Sequence, residues 1–267
     1  PGLAVAAVPA SPPSDDGGDG SAPAVPVLSL IVPTWNEAEN VAPLCARVTQ
    51  ALHEIPHEIL VVDDGSPDGT AAVAEDLART RFPQVRVLRR TGPRGLSAAV
   101  VDGFAAARGR LLGVIDADLQ HDPRLLPDLV RALDDHDLAV GSRYTFAGGC
   151  RGWSFLRETQ SRLAASLTNR ALRLGVKDPL SGYFVLHRAV FQRLQDRVVV
   201  RGWKILLEIL AAEPTLKVAE VGYVFRPRRR GLSKMRPEVV RAWLAALVRW
   251  RRVRPAAVPV ALWSPVG

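Results

Sequence analysis

Leu112-Gly113-Val114-Ile115-Asp116-Ala117-Asp118-Leu119-Gln120-His121-Asp122-Pro123 decides how this chain is read. An apolar run rich in branched side chains ends in two carboxylates one residue apart, with a glutamine two positions on. The pattern predicts a buried strand that breaks at Asp116 and Asp118 and runs into a helix start at Asp122-Pro123. Oxygen donors clustered on such a loop suit a hard divalent cation, Mg²⁺ or Mn²⁺. In an open α/β sheet, ligands bind at the carboxyl ends of strands, where this loop falls. The plainer alternative is a polar turn capped by Asp122, with Pro123 at the first helical position.

Outward from that strand, the pattern repeats. Leu28–Pro33 reads as a strand, followed by a helix with Val41, Leu44, Val48, Leu52 and Ile55 at near-helical spacing. Glu58–Val62 is a second strand, ending in the turn-rich Asp63-Asp64-Gly65-Ser66-Pro67-Asp68-Gly69-Thr70 and a helix to about Phe82. Val85–Leu88 is a third, followed by a small-residue helix from Leu96 to Arg108. The strand ending at Ile115 is the fourth; after its helix, Asp122 to Asp134, Leu138–Gly141 is the fifth. Alternating strands and helices predict an α/β domain with a mostly parallel central sheet and helices on both faces.

Composition sets the limits. The 267 residues, 48% of them hydrophobic, fit one large domain with an appendage. The net charge is +8, carried mostly by arginine, since lysine stands only at Lys177, Lys204, Lys217 and Lys234. Such a balance fits phosphate-bearing partners or an anionic membrane surface. Cys45 and Cys150 form no ligand-spacing pattern and point to a reduced, cytosolic compartment. Residues 1–26, rich in Pro, Ala, Gly, Ser and Asp, read as a disordered tail without signal-peptide character. No run of 18 or more apolar residues predicts a transmembrane helix.

Two strands end in acids, yet no Gly-x-Gly-x-x-Gly follows the first strand and no Walker lysine loop occurs. Phosphates must then be held by something other than a glycine cradle. A cation at the acidic pair, assisted by arginines, would do so.

At this point the motifs carry a family likeness. Pro33-Thr34-Trp35-Asn36-Glu37, Val62-Asp63-Asp64-Gly65-Ser66, Asp116-Ala117-Asp118-Leu119-Gln120-His121 and Gly141-Ser142-Arg143-Tyr144 resemble inverting GT-A (family 2) glycosyltransferases. Within them the chain resembles the polyprenol-phosphate hexose synthases, of the dolichol-phosphate mannose synthase type. Trp153-x-x-x-Arg157-x-x-x-Ser161, Asp178-Pro179-x-Ser181-Gly182-Tyr183, Gly202-Trp203-Lys204 through Glu208, and Phe225-x-x-Arg228-x-x-Gly231-x-Ser233-Lys234 extend it over roughly residues 28–236. Trp35 departs from the usual tyrosine, keeping an aromatic face and losing the phenol. A membrane domain like that of some relatives is not expected after the catalytic part.

The resemblance implies a GT-A, Rossmann-like nucleotide-diphospho-sugar transferase fold at 27–236. It implies a donor site of Pro33, Trp35, Glu37, Val62, Asp64, Asp116, Ala117, Asp118, Arg228 and Lys234. Trp35 would stack on the base, Glu37 read its edge and Asp64 meet the nucleoside, while Asp63 builds the turn. Asp116, Asp118 and Gln120 would hold the cation, and Arg143, Arg157 and Ser161 the acceptor phosphate. Asp118 and Arg143 would lie nearest the chemistry. No dedicated Brønsted base is expected, because the acceptor is already an anion, although Asp118 is a candidate for one. Lys204 and Glu208, four apart, are read as structural or acceptor-shaping, and His121 as helping the helix start.

The implied activity is transfer of a hexose, mannose from GDP-mannose first and glucose from UDP-glucose second, to a polyprenyl phosphate. A non-catalytic nucleotide-sugar-binding protein is a second reading. A nucleic-acid-binding module, suggested by the basic charge, is disfavoured because acids concentrated at strand ends would repel phosphate without a metal. Residues 237–267 are read as an amphipathic helix, Glu238 to Arg252, and a tail. Trp243, Trp250 and flanking arginines suit peripheral contact with the cytoplasmic face of a membrane. A separate membrane protein is a further expected partner.

Overall fold

In this computed structural model the described residues are 25–198, 204–227, 248 and 260–263. Strand β1 (Leu28–Thr34), helix α1 (Ala38–Ala51), β2 (His57–Asp63), α2 (Thr70–Thr80), β3 (Val85–Arg89) and α3 (Leu96–Ala106) lead to β4 (Leu111–Val114). A 3₁₀ turn at Pro123–Leu125, α4 (Leu126–Ala132), β5 (Leu138–Ser142), the short β6 (Gly149–Cys150) and α5 (Phe155–Leu172) follow. The chain then forms β7 (Phe184–His187), α6 (Arg188–Leu194), α7 (Ile205–Ala212), β8 (Val218–Gly222), the short β9 (Val224–Phe225) and β10 (Val260–Trp263).

Eight strands form one sheet in the order β10-β8-β5-β7-β4-β1-β2-β3. All neighbours are parallel except β7, which runs antiparallel between β4 and β5. β6 and β9 make a separate parallel pair. The sheet is thus mostly parallel, as the alternating pattern predicts, and the five expected strands are all present.

Side chains along β1 alternate between two cores. Leu28, Leu30 and Val32 pack on one face with Val41, Leu44 and Val48 of α1 and Leu126 and Leu129 of α4. Ile31 faces the other side, with Val100 and Phe104 of α3 and Leu206 and Ile209 of α7. This period of two explains why the central strands are apolar throughout: both faces are covered by helices. A Cβ at Gly103 would lie 2.8 Å from Ile31 Cγ2 and 3.0 Å from Val62 Cγ2, so glycine lets α3 settle directly onto β1 and β2.

β1 sits between β2 and β4, and the chain winds outward from it in opposite directions. The crevice at such a switch point opens at the carboxyl ends of β1 and β4. The loops that begin at Trp35 and Asp116 converge there.

Three features differ from expectation. The helix expected from Asp122 is a 3₁₀ turn and then α4; Asp122 does cap it, accepting from Arg124 N at 3.2 Å, with proline at the first position. β7 and β8 follow the fifth strand without a sequence signal of their own. Val260–Trp263, expected in a tail outside the catalytic domain, is an edge strand parallel to β8. Arg228, Lys234, all but Val248 of the expected helix 238–252 and nearly all of the expected tail 1–26 lie outside the described residues.

Candidate active site

Pro33, Thr34, Trp35, Glu37, Asp64, Leu96, Asp116, Ala117 and Asp118 line one open cleft of about 250 Å³. Seven of the ten residues expected to contact the donor therefore share one wall. Val62 does not join them. Its side chain is fully buried in the core beneath α3, because at that register the strand presents it to the helix rather than to the cleft.

The loop after β1 is shaped by the acid-rich turn after β2. Asn36 adopts a left-handed φ of 57°. Its N–H donates to Ser66 Oγ at 3.0 Å, Glu37 N–H to Thr70 Oγ1 at 3.0 Å and Ala38 N–H to Asp68 Oδ2 at 3.1 Å. Asp68 thereby satisfies an N-terminal donor of α1 from another loop. Desolvation opposes its charge, but hydrogen bonds from Thr70 and Ala38 outweigh that and lower its pKa. Asp63 is the turn builder expected: it accepts from Gly65 N, Ser66 N, Ser66 Oγ and Thr34 Oγ1 at 2.6–3.1 Å.

Asp64 reaches the cleft but is already engaged. Arg90 Nη1 donates to its Oδ1 and Gly95 N–H to its Oδ2 at 3.0 Å, while Arg90 Nε binds Asp102 at 2.6 Å. Arg94, on the same loop, stacks over the Trp35 ring at 3.7 Å from its centroid. Neither arginine was singled out in the sequence, since each lies far along the chain from its partner.

Beyond β4, Asp116 and Asp118 present carboxylates to the same cleft. Asp118 accepts from Gln120 N–H at 3.1 Å, a turn that sets Leu119 at φ 62°. A left-handed leucine stores backbone strain, which is typical of functional loops. Gln120, expected to ligate metal, has a structural partner: its Nε2 donates to the Arg226 carbonyl at 2.9 Å, and Arg226 N–H returns a bond to the Gln120 carbonyl at 2.9 Å. It ties this loop to the segment leading into residue 228.

His121 does not start the helix. It is buried among Tyr183, Tyr223 and Phe225, with ring centroids at 5.1–5.6 Å. Its Nδ1 is 2.6 Å from Tyr223 Oη and its Nε2 is 3.3 Å from Asp116 Oδ2. Its partner Tyr223 lies 102 positions away, beyond reach of any local motif. Asp116 is pressed from another side by the backbone at Gly182, where a Cβ would come within 2.8 Å of Oδ2.

The residues expected at the acceptor make up a second wall, and none of them is among the residues that line the cleft. Arg143, expected to grip phosphate, forms an ion pair with Asp178. Nε and Nη2 fork onto Asp178 Oδ2 and Oδ1, both at 2.7 Å, and Asp178 is fully buried. Desolvation opposes the guanidinium charge, and the Asp178 carboxylate outweighs it, raising the arginine pKa. Glu220 holds the turn beneath, accepting from Lys177 N at 2.8 Å and Asp178 N at 3.0 Å. Arg157 is exposed and lies 4.3 Å from the Trp153 centroid, while Arg143 lies 5.7 Å from the same ring. Ser161 Oγ accepts from Tyr144 Oη at 2.6 Å. Trp153 therefore joins the two arginines, and it was quoted in the sequence only as part of a motif.

Lys204 stands at the amino end of α7, between the walls. Desolvation lowers its pKa to about 8, opposed by the carboxylates of Asp116, Asp178 and Asp118 and assisted by Arg143. α5 presents Phe155, Leu156, Leu163 and Leu167 to solvent, and Phe146 is exposed in the loop after β5.

The residues present fit a divalent cation of the kind that shares its coordination with a substrate. Two carboxylates face one cleft, and among the described residues no group of three or more His, Cys, Asp or Glu side chains forms a metal site on its own. Mg²⁺ is characteristically bound this way, by one or two carboxylates together with substrate phosphates.

Comparison with known proteins accords with this geometry. Residues 29–195 match the family model described as glycosyl transferase family 2. Over 243 residues the chain is 40% identical to the dolichol-phosphate mannosyltransferase of Pyrococcus furiosus, covering 90% of this chain and 68% of that one. Over 228 residues it is 36% identical to the polyprenol monophosphomannose synthase of Mycolicibacterium smegmatis, covering 83% of this chain and 85% of that one. Among solved structures it is similar to glucosyl-3-phosphoglycerate synthase from Mycobacterium tuberculosis in complex with Mn²⁺, uridine diphosphate and glucosyl-3-phosphoglycerate. The TM-score there is 0.63 at 21% identity, covering 86% of this chain and 80% of that one, a likeness of fold.

Proposed function

The chain belongs to glycosyl transferase family 2, and from that premise we propose that it transfers a mannosyl unit from GDP-mannose to the phosphate of a polyprenyl phosphate, inverting the anomeric carbon with Mg²⁺ or Mn²⁺ bound. Its fold is the GT-A fold and its activity that of a glycosyltransferase. The names of its relatives support mannose and a polyprenyl phosphate as donor sugar and acceptor. The observation that carries the reading is the shared cleft of Trp35, Glu37, Asp64, Asp116 and Asp118.

Trp35 offers a ring face for the base, with Glu37 and Asp64 beside the nucleoside. Asp116 and Asp118, with Gln120, are the residues that would hold the cation. A divalent ion held there would stabilise the negative charge that grows on the departing nucleoside diphosphate. The acceptor phosphate oxygen forms the new bond to the anomeric carbon as the bond to the diphosphate breaks. That oxygen is already anionic, so no proton need be removed. Arg157, Ser161 and the outer edge of Arg143 orient it. Arg228 and Lys234 close over the donor diphosphate.

The exposed apolar side chains of α5, next to Arg157, support a lipid on the acceptor side. No described helix is long and apolar enough to cross a membrane. Contact is peripheral, at the cytoplasmic face, assisted by residues 237–252. The test is thermal unfolding with GDP-mannose or UDP-glucose, each with Mn²⁺, since a ligand that binds the native state raises the melting temperature. GDP-mannose should raise it more; a larger shift with UDP-glucose would reverse the donor assignment.

A further inference from the structure

We propose that His121 is a positioning residue for the divalent-cation site, donating from Nε2 to Asp116 Oδ2 while the Tyr223 hydroxyl holds the far side of the ring. The inference rests on the reading above that Asp116 and Asp118 hold the cation.

The geometry fixes which way the ring works. Nδ1 lies 2.6 Å from Tyr223 Oη, and Nε2 lies 3.3 Å from Asp116 Oδ2. A carboxylate oxygen only accepts, so the Nε2 contact is favourable only when Nε2 carries hydrogen. The Tyr223 hydroxyl adapts to whatever Nδ1 presents. Burial raises the Tyr223 pKa well above its ordinary value, so the phenol keeps its hydrogen and can donate to Nδ1. The ring cannot turn to other partners, because Tyr183, Tyr223 and Phe225 enclose it at centroid distances of 5.1–5.6 Å.

The same carboxylate is confined by the Gly182 backbone, where a Cβ would stand 2.8 Å from Oδ2. Oδ2 of Asp116 thus has the imidazole on one side and close main chain on another, which restricts the orientation of the carboxylate. Groups that orient a ligating side chain in this way are commonly worth 10- to 100-fold in metal affinity. Tyr223 also ties the device to the acceptor side, since its N–H donates to the Ser142 carbonyl at 3.1 Å, next to Arg143.

The test is a titration of the full chain with Mn²⁺ alone, reading free aqueous Mn²⁺ by electron paramagnetic resonance. His121→Gln places an amide nitrogen near the position of Nε2, whereas His121→Asn places one near Nδ1 and withdraws the Nε2 donor from Asp116. The expected result is about 10-fold or more loss of Mn²⁺ affinity in His121→Asn and less than about threefold in His121→Gln, at equal metal-free melting temperatures. Unchanged affinity in His121→Asn, or equal losses in both, would overturn the proposal. Should His121→Asn not fold, Tyr223→Phe removes only the hydroxyl and should weaken Mn²⁺ by roughly threefold or more; wild-type affinity there would equally overturn it. Asp116→Asn separates the two readings: wild-type Mn²⁺ binding in that variant would sink the cation site itself, whereas lost binding with a normal His121→Asn would sink only the role of His121.

Discussion

The donor wall and the acceptor wall are held in different ways. On the donor wall, the side chains of Ser66, Thr70 and Asp68 accept from backbone N–H groups and clamp the loop of Trp35 and Glu37, Arg90 holds Asp64, and Asp116 and Asp118 line the cleft. On the acceptor wall the fixing centres on one forked ion pair to a fully buried carboxylate. Arg143 is held by Asp178, and only Arg157, stacked on Trp153, stays in the open. The contrast suits the two proposed substrates. A nucleotide with a cation is a rigid, many-pointed ligand that rewards a prebuilt surface. A lipid phosphate offers one anion and needs one anchored charge beside one adaptable charge.

The sharpest way to break that comparison is to unlock Arg143. Asp178→Asn leaves a guanidinium buried beside a neutral partner, and loss of one member of a buried pair typically costs about 3–5 kcal/mol. Denaturant unfolding should show that loss, while donor binding in the surviving folded protein stays near normal. A stability change below about 1 kcal/mol would mean that the pair does not fix the wall.

A smaller effect should appear away from both walls. At the amino ends of the strands, Glu58 accepts from Ser29 Oγ at 2.5 Å, Arg86 Nη1 at 2.6 Å and Arg108 N–H at 2.6 Å. Desolvation acts to raise its pKa, but these bonds prevail and hold it below the ordinary 4.5. A lowered folded-state pKa means that the unfolded chain binds more protons between the two values. The stabilisation is therefore complete above about pH 4.5 and is lost as pH falls through the folded-state value. Glu58→Gln should cost about 1–2 kcal/mol at pH 7, with the gap to wild type closing in acid. Neither donor nor acceptor affinity should move; a shift in either would show that the two ends of the sheet are coupled.

Much of the donor wall was legible because its signals are local. A strand ending in Asp-x-Asp and a second ending in Asp-Asp-Gly-Ser each announce themselves within a few residues, while Trp35 and Glu37 came through the family resemblance. The sheet was legible as far as β5 for the same reason. Past it, α7 is buried on every side, so Ile205–Ala212 has no amphipathic period to mark it as a helix. β7 is only four residues long and enters antiparallel from a loop. The pairs that shape the site were hidden by distance along the chain: Arg90 with Asp64 across 26 positions, Arg143 with Asp178 across 35 and His121 with Tyr223 across 102. Arg143 shows the cost most clearly. The family resemblance implied a phosphate ligand there, and only the fold reveals the carboxylate that takes its Nε and one Nη2 donor.

The division into two walls is tested most directly by calorimetry of GDP-mannose in Mn²⁺ with Asp118→Asn and Arg157→Ala side by side. Asp118→Asn should lose donor affinity by about 10-fold or more while remaining folded. Arg157→Ala should bind donor as wild type does, and show its loss only as a raised KM for polyprenyl phosphate. Equal donor affinity in wild type and Asp118→Asn, or an equal loss in both variants, would contradict the account.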